Sequence, residues 1–281
     1  MIKERVSVTI NKELLERIDS MVDGVSVRNR SHAIEMILSR YLNFKTIKTA
    51  VILAGGKGTR LRPITYEIPK PLVPVHGKPV VAHIFDLLKK YGIVDVILSI
   101  GYLKEKIKNE IGDGSKFGVK VRYIEEEEPL GTGGPLRLAK DILKSAFIVS
   151  NGDELKDINI MDMYEVHKRN NALVTIALKT VEDPSAYGVA KLEGERIMEF
   201  VEKPKKEEAP SNLINAGFYI MEPKVIDMIP EGNVSLERDI FPKIAEMGKL
   251  YGYPFSGQWF DTGNIERYER AIKEWKGIKL G

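Results

Sequence analysis

A glycine-rich segment directly after an apolar run is the feature that most constrains the fold. The run Ala50–Leu53 leads into Leu53-Ala-Gly-Gly-Lys-Gly-Thr-Arg-Leu-Arg-Pro63, in which three glycines occur within four residues. Glycine allows a sharp turn after a strand and lets backbone N–H groups approach a phosphate closely. The sequence therefore predicts a buried strand followed by a phosphate-binding loop.

Two common phosphate loops are excluded by single positions. A P-loop requires Gly-Lys-Ser/Thr, whereas Gly56-Lys57 is followed by Gly58. A dinucleotide-binding fingerprint requires a third glycine, and Leu61 stands at that position. The loop belongs to another class of phosphate site.

Strand and helix patterns alternate through the rest of the chain. Such alternation predicts an α/β fold with a mostly parallel, doubly wound sheet covered by helices on both faces. The predicted strands are Ala50–Leu53, Val94–Ile100, Val119–Ile124, Ala146–Ser150, Ala172–Leu178 and Ala216–Met221. The predicted helices are Val80–Tyr91, Leu103–Ile111, Gly134–Leu143 and Met161–Asn170. Three of the later segments favour antiparallel strands: Ile197–Glu202, the strand at Ala216–Met221 and Leu250–Phe255.

The composition narrows the class of protein. The chain has no cysteine, which excludes disulfides, thiolate metal sites and cysteine nucleophiles. Its longest apolar runs are far below the roughly 18 residues that a membrane-spanning helix needs, and no signal peptide is visible. We expect a soluble cytoplasmic protein with no membrane partner.

The first 44 residues form a separate predicted module, followed by a linker at 45–48. Residues 2–10 alternate apolar and polar as in a half-buried strand, and two helical patterns follow, one after Asn11 and one from about Asn29. One strand and two helices cannot bury a core alone, and a lone strand leaves two unpaired edges. The sequence therefore predicts a homodimer through residues 1–44, in which two strands pair antiparallel.

This module resembles the ribbon-helix-helix family of DNA-binding proteins. The resemblance implies that Arg5, Ser7 and Thr9 read base edges, and that Arg30 and Ser31 hold backbone phosphates. The alternative is a module that only dimerises, with a solvated polar face.

Residues 49–281 contain a series of short motifs: Gly55-Gly-Lys-Gly-Thr-Arg-Leu-Arg-Pro63, Pro69-Lys-Pro71, Gly77-Lys-Pro79, Glu128-Pro-Leu-Gly-Thr-Gly-Gly134, Asn151-Gly-Asp153, Tyr187-Gly-Val189, Glu199-Phe-Val-Glu-Lys-Pro204, Asn215-Ala-Gly217 and Trp259-Phe-Asp-Thr-Gly263. With these motifs the segment resembles the sugar-1-phosphate nucleotidylyltransferases, most closely those that transfer guanylyl groups to mannose 1-phosphate.

The resemblance implies attack of a sugar 1-phosphate oxygen on the α-phosphorus of a nucleoside triphosphate. The attacking group is already anionic, so catalysis consists of holding two anions together and neutralising their charge. The catalytic residues implied are Arg60, which clamps the leaving pyrophosphate, and Lys70, which positions the α- and β-phosphates. Asp153 and Asp261 would hold Mg²⁺, a hard cation that prefers oxygen ligands.

The same resemblance implies the substrate contacts. The nucleotide-binding residues are Leu53, Ala54, Gly55, Gly56, Gly58, Thr59, Gly131 and Thr132. The sugar-phosphate-binding residues are Gly188, Glu202, Lys203 and Asn215. The acidic run Glu125–Glu128 is interpreted mainly as a solvated face.

The favoured substrates are GTP and mannose 1-phosphate. Two alternatives remain open at this point: a thymidylyl- or uridylyltransferase acting on glucose 1-phosphate, and a transcriptional regulator that senses a nucleotide sugar. The charged residues expected of an active site argue against a sensor, which could lose them freely.

Overall fold

The computed structural model describes residues 6–24, 27–44 and 47–278. The chain divides into two compact units, Met1–Lys45 and Thr46–Gly281. The predicted linker 45–48 falls at this division, although residues 45 and 46 lie outside the described part.

The smaller unit contains two helices, α1 (Lys12–Asp19) and α2 (Arg30–Phe44). The Asn11 side chain caps α1 by accepting a hydrogen bond from the Glu13 N–H at 2.8 Å. The helix predicted after Asn11 is therefore confirmed, and it ends at Asp19. A small core forms from Ile18, Val27 and Ala33.

The described part of the segment 2–10, which the sequence predicts as a strand, contains no strand. Residues 2–5 lie outside the described part, and residues 6–10 belong to no strand. A strand exists only through hydrogen bonds to a neighbour, and the described part of this unit offers no second strand.

The larger unit alternates strands and helices, as predicted. Its strands are β1 (Thr49–Ala54), β2 (Pro74–Val75), β3 (Lys78–Pro79), β4 (Asp95–Ile100), β5 (Lys120–Glu125), β6 (Phe147–Asn151), β7 (Glu154–Lys156), β8 (Val174–Thr180), β9 (Gly188–Glu193), β10 (Arg196–Glu202), β11 (Leu213–Met221), β12 (Leu250–Pro254) and β13 (Trp259–Asp261). Its helices are α3 (Ile64–Glu67), α4 (Val80–Lys90), α5 (Lys104–Ile111), α6 (Gly134–Leu138), α7 (Ile160–Arg169), α8 (Phe241–Glu246) and α9 (Ile265–Glu274). The helix predicted over Gly134–Leu143 is therefore shorter than expected.

Nine strands form one sheet in the order β5-β4-β1-β6-β11-β8-β12-β10-β9. Strands β5, β4, β1 and β6 run parallel, whereas β11 is antiparallel to both β6 and β8. The sheet is thus mixed: β10 and β11 run opposite to the other seven strands, so most strands point the same way, as predicted. The antiparallel direction predicted for the strand at Ala216–Met221 is confirmed, whereas β12 is only partly as predicted, because it runs antiparallel to β10 but parallel to β8.

A two-stranded ribbon outside the main sheet brings the end of the chain to the end of β6. Strand β13 pairs antiparallel with β7, and Asp261 lies opposite Glu154. The described helices include none that combines the length and apolar character needed to cross a bilayer.

A buried histidine joins α9 to α4. Trp275 is almost fully buried, and its Nε1–H donates to His83 Nδ1 at 3.2 Å, while His83 Nε2 lies 3.1 Å from the Val75 carbonyl oxygen. These partners require a neutral ring with its proton on Nε2. Burial accordingly lowers the pKa of His83.

The neutral His83 ring makes stability depend on pH. Below about pH 6.5 the unfolded chain binds a proton at this position that the folded chain resists, so the free energy of unfolding falls as the pH falls. Urea unfolding of the larger unit at pH 7.5 and 5.5 should show this loss. His83→Gln should reduce it, and an equal loss in the variant would contradict the assignment.

Candidate active site

Two adjoining cavities of about 450 and 530 Å³ lie at the carboxyl ends of β1 and β6. Ligands of open α/β sheets bind at this edge. The residues that line both cavities are Arg60, Gly131, Thr132, Asn151, Asp153 and Asn233. A ligand in one cavity would therefore lie next to a ligand in the other.

The first cavity collects every residue predicted to bind the nucleotide, together with Arg60 and Lys70. The turn after β1 is fixed by Thr65, whose Oγ1 donates to the Gly58 carbonyl oxygen at 2.8 Å. Gly58 has φ +61°, and a Cβ there would lie 2.9 Å from Thr65 Cγ2. Only glycine fits this turn without strain.

Glu126 also lines the first cavity, which the sequence interpretation of the acidic run as a solvated face missed. Its carboxylate accepts hydrogen bonds from Ser99 Oγ at 2.7 Å and from the Leu130 N–H at 3.1 Å. A Cβ at Gly55 would lie 2.5 Å from Glu126 Oε1. Glu126 thus fixes the distance between the glycine loop and the segment that leads to Gly131.

The second cavity is lined by the four residues predicted to bind the sugar phosphate, Gly188, Glu202, Lys203 and Asn215. Lys203 has φ +51°, and its N–H donates to the Tyr187 carbonyl oxygen at 2.9 Å. Burial and the nearby Glu237 carboxylate raise the pKa of Glu202, against the opposing effect of Lys203, whose Nζ lies 3.3 Å away.

An ion pair joins Lys70 and Asp153 where the two cavities meet. The Lys70 side chain is largely buried. Although burial favours the neutral acid, the positive charges of Lys70 and Lys156 hold the pKa of Asp153 below its usual range. The carboxylate is therefore ionised at neutral pH. The Gly152 N–H donates to the Leu53 carbonyl oxygen at 2.9 Å, which joins the ends of the parallel strands β1 and β6.

Asp261 lies beside the Asp153 backbone. Thr262 donates to the Asp153 carbonyl oxygen through Oγ1 at 2.7 Å and through its N–H at 3.3 Å. Asp261 Oδ2 accepts from Arg267 Nη1 at 2.6 Å and from the Tyr187 hydroxyl at 3.3 Å. Burial and the Asp261 charge raise the pKa of Tyr187, which keeps the phenol protonated as a donor.

The donor chemistry of Asp153 and Asp261 fits a hard divalent cation. Both carboxylates line the second cavity, where phosphate oxygens and water can complete an all-oxygen ligand set of the kind Mg²⁺ prefers. No cluster of three or more His, Cys, Asp or Glu with metal-binding geometry occurs within residues 6–24, 27–44 and 47–278. The two carboxylates are paired with Lys70 and Arg267 in this structure.

A buried charge pair that the sequence analysis missed lies beneath this site. Lys156 is 1% exposed and donates to Glu154 Oε2 at 3.1 Å and to the Gly217 carbonyl oxygen at 2.9 Å. Glu154 also accepts from Trp259 Nε1 at 3.2 Å, which joins the two strands of the ribbon, whereas the contact of Lys156 with Gly217 in β11 joins the ribbon to the main sheet. Other lining residues without a predicted role are Asn151, Tyr187, Asn233, Ser235, Glu237, Arg238 and Arg267.

The residues predicted to bind DNA belong to the smaller unit. Ser7, Thr9 and Ser31 are exposed, and Arg5 lies outside the described residues. The Arg30 guanidinium donates twice to the Asp19 carboxylate, each time at 2.7 Å. Arg30, which was predicted to hold a phosphate, is therefore paired with Asp19 in this structure.

The family of the larger unit follows from comparison with known proteins. Residues 49–276 match the model of the nucleotidyl transferase family, and the chain belongs to that family. It is 42% identical over 227 residues to mannose-1-phosphate guanylyltransferase of Mycobacterium tuberculosis, a match that covers 79% of this chain and 63% of that protein. The chain thus spans less than two thirds of this curated relative.

Solved structures share the fold. A putative glucose-1-phosphate thymidylyltransferase from Bacillus anthracis, in complex with a sucrose, superposes with a TM-score of 0.75 and 29% identity, covering 83% of this chain and 97% of that one. HddC from Yersinia pseudotuberculosis, complexed with GMP-PN, superposes with a TM-score of 0.70 and 31% identity over 82% of this chain and all of that one.

Gly131 should tolerate no side chain. It has φ +72°, and a Cβ would lie 2.3 Å from the Val234 carbonyl oxygen, a backbone atom that cannot rotate away. We expect Gly131→Ala to lower the free energy of unfolding by about 1–3 kcal/mol. Gly56→Ala is the matched control, because a Cβ there meets nothing within 4 Å. Equal free energies of unfolding for the two variants, measured in urea, would contradict this geometry.

Proposed function

We propose that the chain transfers a guanylyl group from GTP to mannose 1-phosphate, giving GDP-mannose and pyrophosphate. The observation that carries the proposal is the pair of adjoining cavities, one lined by the glycine loop and one by Glu202, Lys203 and Asn215, which share Arg60 and Asp153. Sequence identity to mannose-1-phosphate guanylyltransferases supports the choice of substrates.

The reaction is an in-line displacement at phosphorus. A phosphate oxygen of the sugar 1-phosphate forms a bond to the α-phosphorus of GTP, and the bond between the α-phosphorus and the bridging oxygen of pyrophosphate breaks. The leaving pyrophosphate carries away the electron pair of that bond. No protein nucleophile and no proton transfer are required.

The residues of the chain bind and orient the two anions. Arg60 lines both cavities and clamps the pyrophosphate, while Lys70 reaches the α- and β-phosphates from beside Asp153. Lys203 holds the sugar phosphate, and Glu202 accepts hydrogen bonds from sugar hydroxyls. Bringing two anions together in this way removes most of the entropic barrier of a bimolecular reaction.

Asp153 and Asp261 would hold the Mg²⁺ ion. When bound, the ion neutralises charge on the triphosphate and stabilises the charge that develops during displacement. Because both carboxylates are ion-paired, metal binding would leave Lys70 and Arg267 available to the phosphates.

Pyrophosphate release tests the proposal. The full chain is assayed with GTP, dTTP, UTP, CTP and ATP against mannose, glucose and galactose 1-phosphates, with Mg²⁺ or with EDTA. We expect GTP with mannose 1-phosphate to be preferred and EDTA to abolish release. Preference for dTTP or UTP with glucose 1-phosphate would replace the substrate assignment, and no release with any pair would contradict the activity.

Asp153→Asn should lower kcat by at least about 100-fold, because it removes a metal-binding charge while keeping the shape of the side chain. Asp141→Asn is the matched control, since the Asp141 side chain is fully exposed outside both cavities. Activity of Asp153→Asn within threefold of the control would contradict the metal assignment.

For the smaller unit we propose a homodimer through residues 1–44. Apolar side chains that a single chain leaves exposed support this proposal, among them Val8 at 65% and Leu38 at 53%. The sequence pattern places Leu38 on the apolar face of α2. A second copy packed against that face would bury this side chain. Pairing of two copies would also supply the neighbour that the predicted strand needs.

Leu38→Glu should convert the dimer into a monomer, because it would bury a charge at the interface. Leu138→Glu, at a 54% exposed position of the larger unit, is the control and should remain dimeric. Sedimentation equilibrium of the full chain measures the mass. A wild-type monomer, or a Leu38→Glu dimer, would contradict the proposal.

DNA binding by this module is the second candidate function. The exposed Ser7, Thr9 and Ser31 support it, and the Arg30 guanidinium would exchange Asp19 for a phosphate. Affinity for DNA should then fall with salt, with a slope near −0.9 per phosphate contact in a double-logarithmic plot. A regulator that senses a nucleotide sugar would bind DNA and release no pyrophosphate.

A further inference from the structure

The carboxylate of Glu237, which lines the second cavity, accepts hydrogen bonds from Thr132, which lines both cavities, and from two further hydroxyl groups. Its Oε2 accepts from Thr132 Oγ1 at 2.6 Å and from Ser235 Oγ at 2.9 Å, and its Oε1 accepts from the Tyr219 hydroxyl at 3.1 Å. An ionised carboxylate only accepts hydrogen bonds. The proton of each hydroxyl must therefore point at Glu237.

On the nucleotide side, this carboxylate fixes Thr132. The Leu236 N–H donates to Thr132 Oγ1 at 2.8 Å, and the Thr132 hydroxyl donates onward to Glu237. Thr132 lines both cavities, so its position affects the space available to the nucleotide.

On the sugar side, the carboxylate acts through Tyr219. This tyrosine is fully buried, and since its proton points at Glu237, its oxygen accepts from Asn215 Nδ2 at 2.8 Å. The Gly217 N–H donates to Asn215 Oδ1 at 2.9 Å from the other side. These two contacts determine which end of the Asn215 amide carries the nitrogen, a choice that an isolated asparagine leaves open.

The geometry points to Glu237 as a positioning residue. It fixes the hydroxyl group of Thr132 directly and the orientation of the Asn215 amide through Tyr219. This arrangement leaves the second N–H of the Asn215 amide to donate to a sugar oxygen. The Glu202 carboxylate lines the same cavity and offers an acceptor. One donor and one acceptor side by side match a hydroxyl group, which both donates and accepts hydrogen bonds. Assigning the two cavities to nucleotide and sugar phosphate rests on the proposed function.

Glutamine at position 237 is the informative substitution. Its side chain has one acceptor oxygen in place of two, and its NH₂ group would face a hydroxyl that is already committed as a donor. We therefore expect Glu237→Gln to raise the KM of both substrates at least fivefold in the full chain. Tyr219→Phe should raise only the KM of the sugar 1-phosphate, because Thr132 keeps its contact.

A double variant distinguishes a positioning role of Glu237 from a merely structural one. Tyr219→Phe should have little further effect on KM when combined with Glu237→Gln, since both changes release the same asparagine. The matched control is Glu222→Gln, which alters a half-buried glutamate on His167 outside both cavities and should leave both KM values within twofold. Unchanged KM values in Glu237→Gln, or fully multiplicative effects in the double variant, would overturn the inference.

Equilibrium binding distinguishes this inference from the proposed function. Calorimetric titration with GMP and, separately, with mannose 1-phosphate requires no turnover. Weaker binding of both ligands to Glu237→Gln, and of the sugar phosphate alone to Tyr219→Phe, would support positioning even if the wild type released no pyrophosphate. If the wild type binds both ligands and neither variant changes the affinity, the inference about Glu237 is wrong but the proposed function stands. If the wild type binds neither ligand, both proposals are wrong.

Discussion

The ion pair between Lys70 and Asp153 is the interaction on which the arrangement of the candidate site depends. Its partners are 83 residues apart in sequence and meet where the two cavities join. Removing the Asp153 charge would leave Lys70, whose side chain is 10% exposed, without its anionic partner, which is costly inside a protein. The hydrogen bond between Gly152 and Leu53 joins the ends of β1 and β6 next to Asp153.

Several acidic side chains of the site are each paired with a basic side chain. Asp153 and Asp261 each have a cationic partner, and Glu154 is paired with the buried Lys156. Exposed cations would be hydrated and mobile, whereas Lys70 and Arg267 are held against carboxylates that line the cavities. Under the proposed function, a polyanionic ligand would exchange partners with groups that are already in place, so little reorganisation would be needed.

The sequence predicted most strands and helices of the larger unit, and every nucleotide- and sugar-phosphate-binding residue that it proposed lines one of the cavities. Strand direction was harder, because an apolar run such as Leu250–Pro254 identifies a strand without saying which neighbours it pairs with. Glu126 and Glu237 were missed for a related reason. A glutamate in a polar stretch shows no periodicity, and its hydrogen-bond partners, Ser99 and Thr132, lie far away in sequence.

The pairing of β13 with β7 affects when the second cavity can form during synthesis and folding. Asp261, Thr262 and Arg267 follow Asp153 by more than 100 residues in sequence, yet Thr262 contacts Asp153 and Asp261 contacts Tyr187. A nascent chain could assemble β1 through β12 and still lack one side of the second cavity. The second cavity is therefore complete only after β13 has been synthesised and has paired with β7.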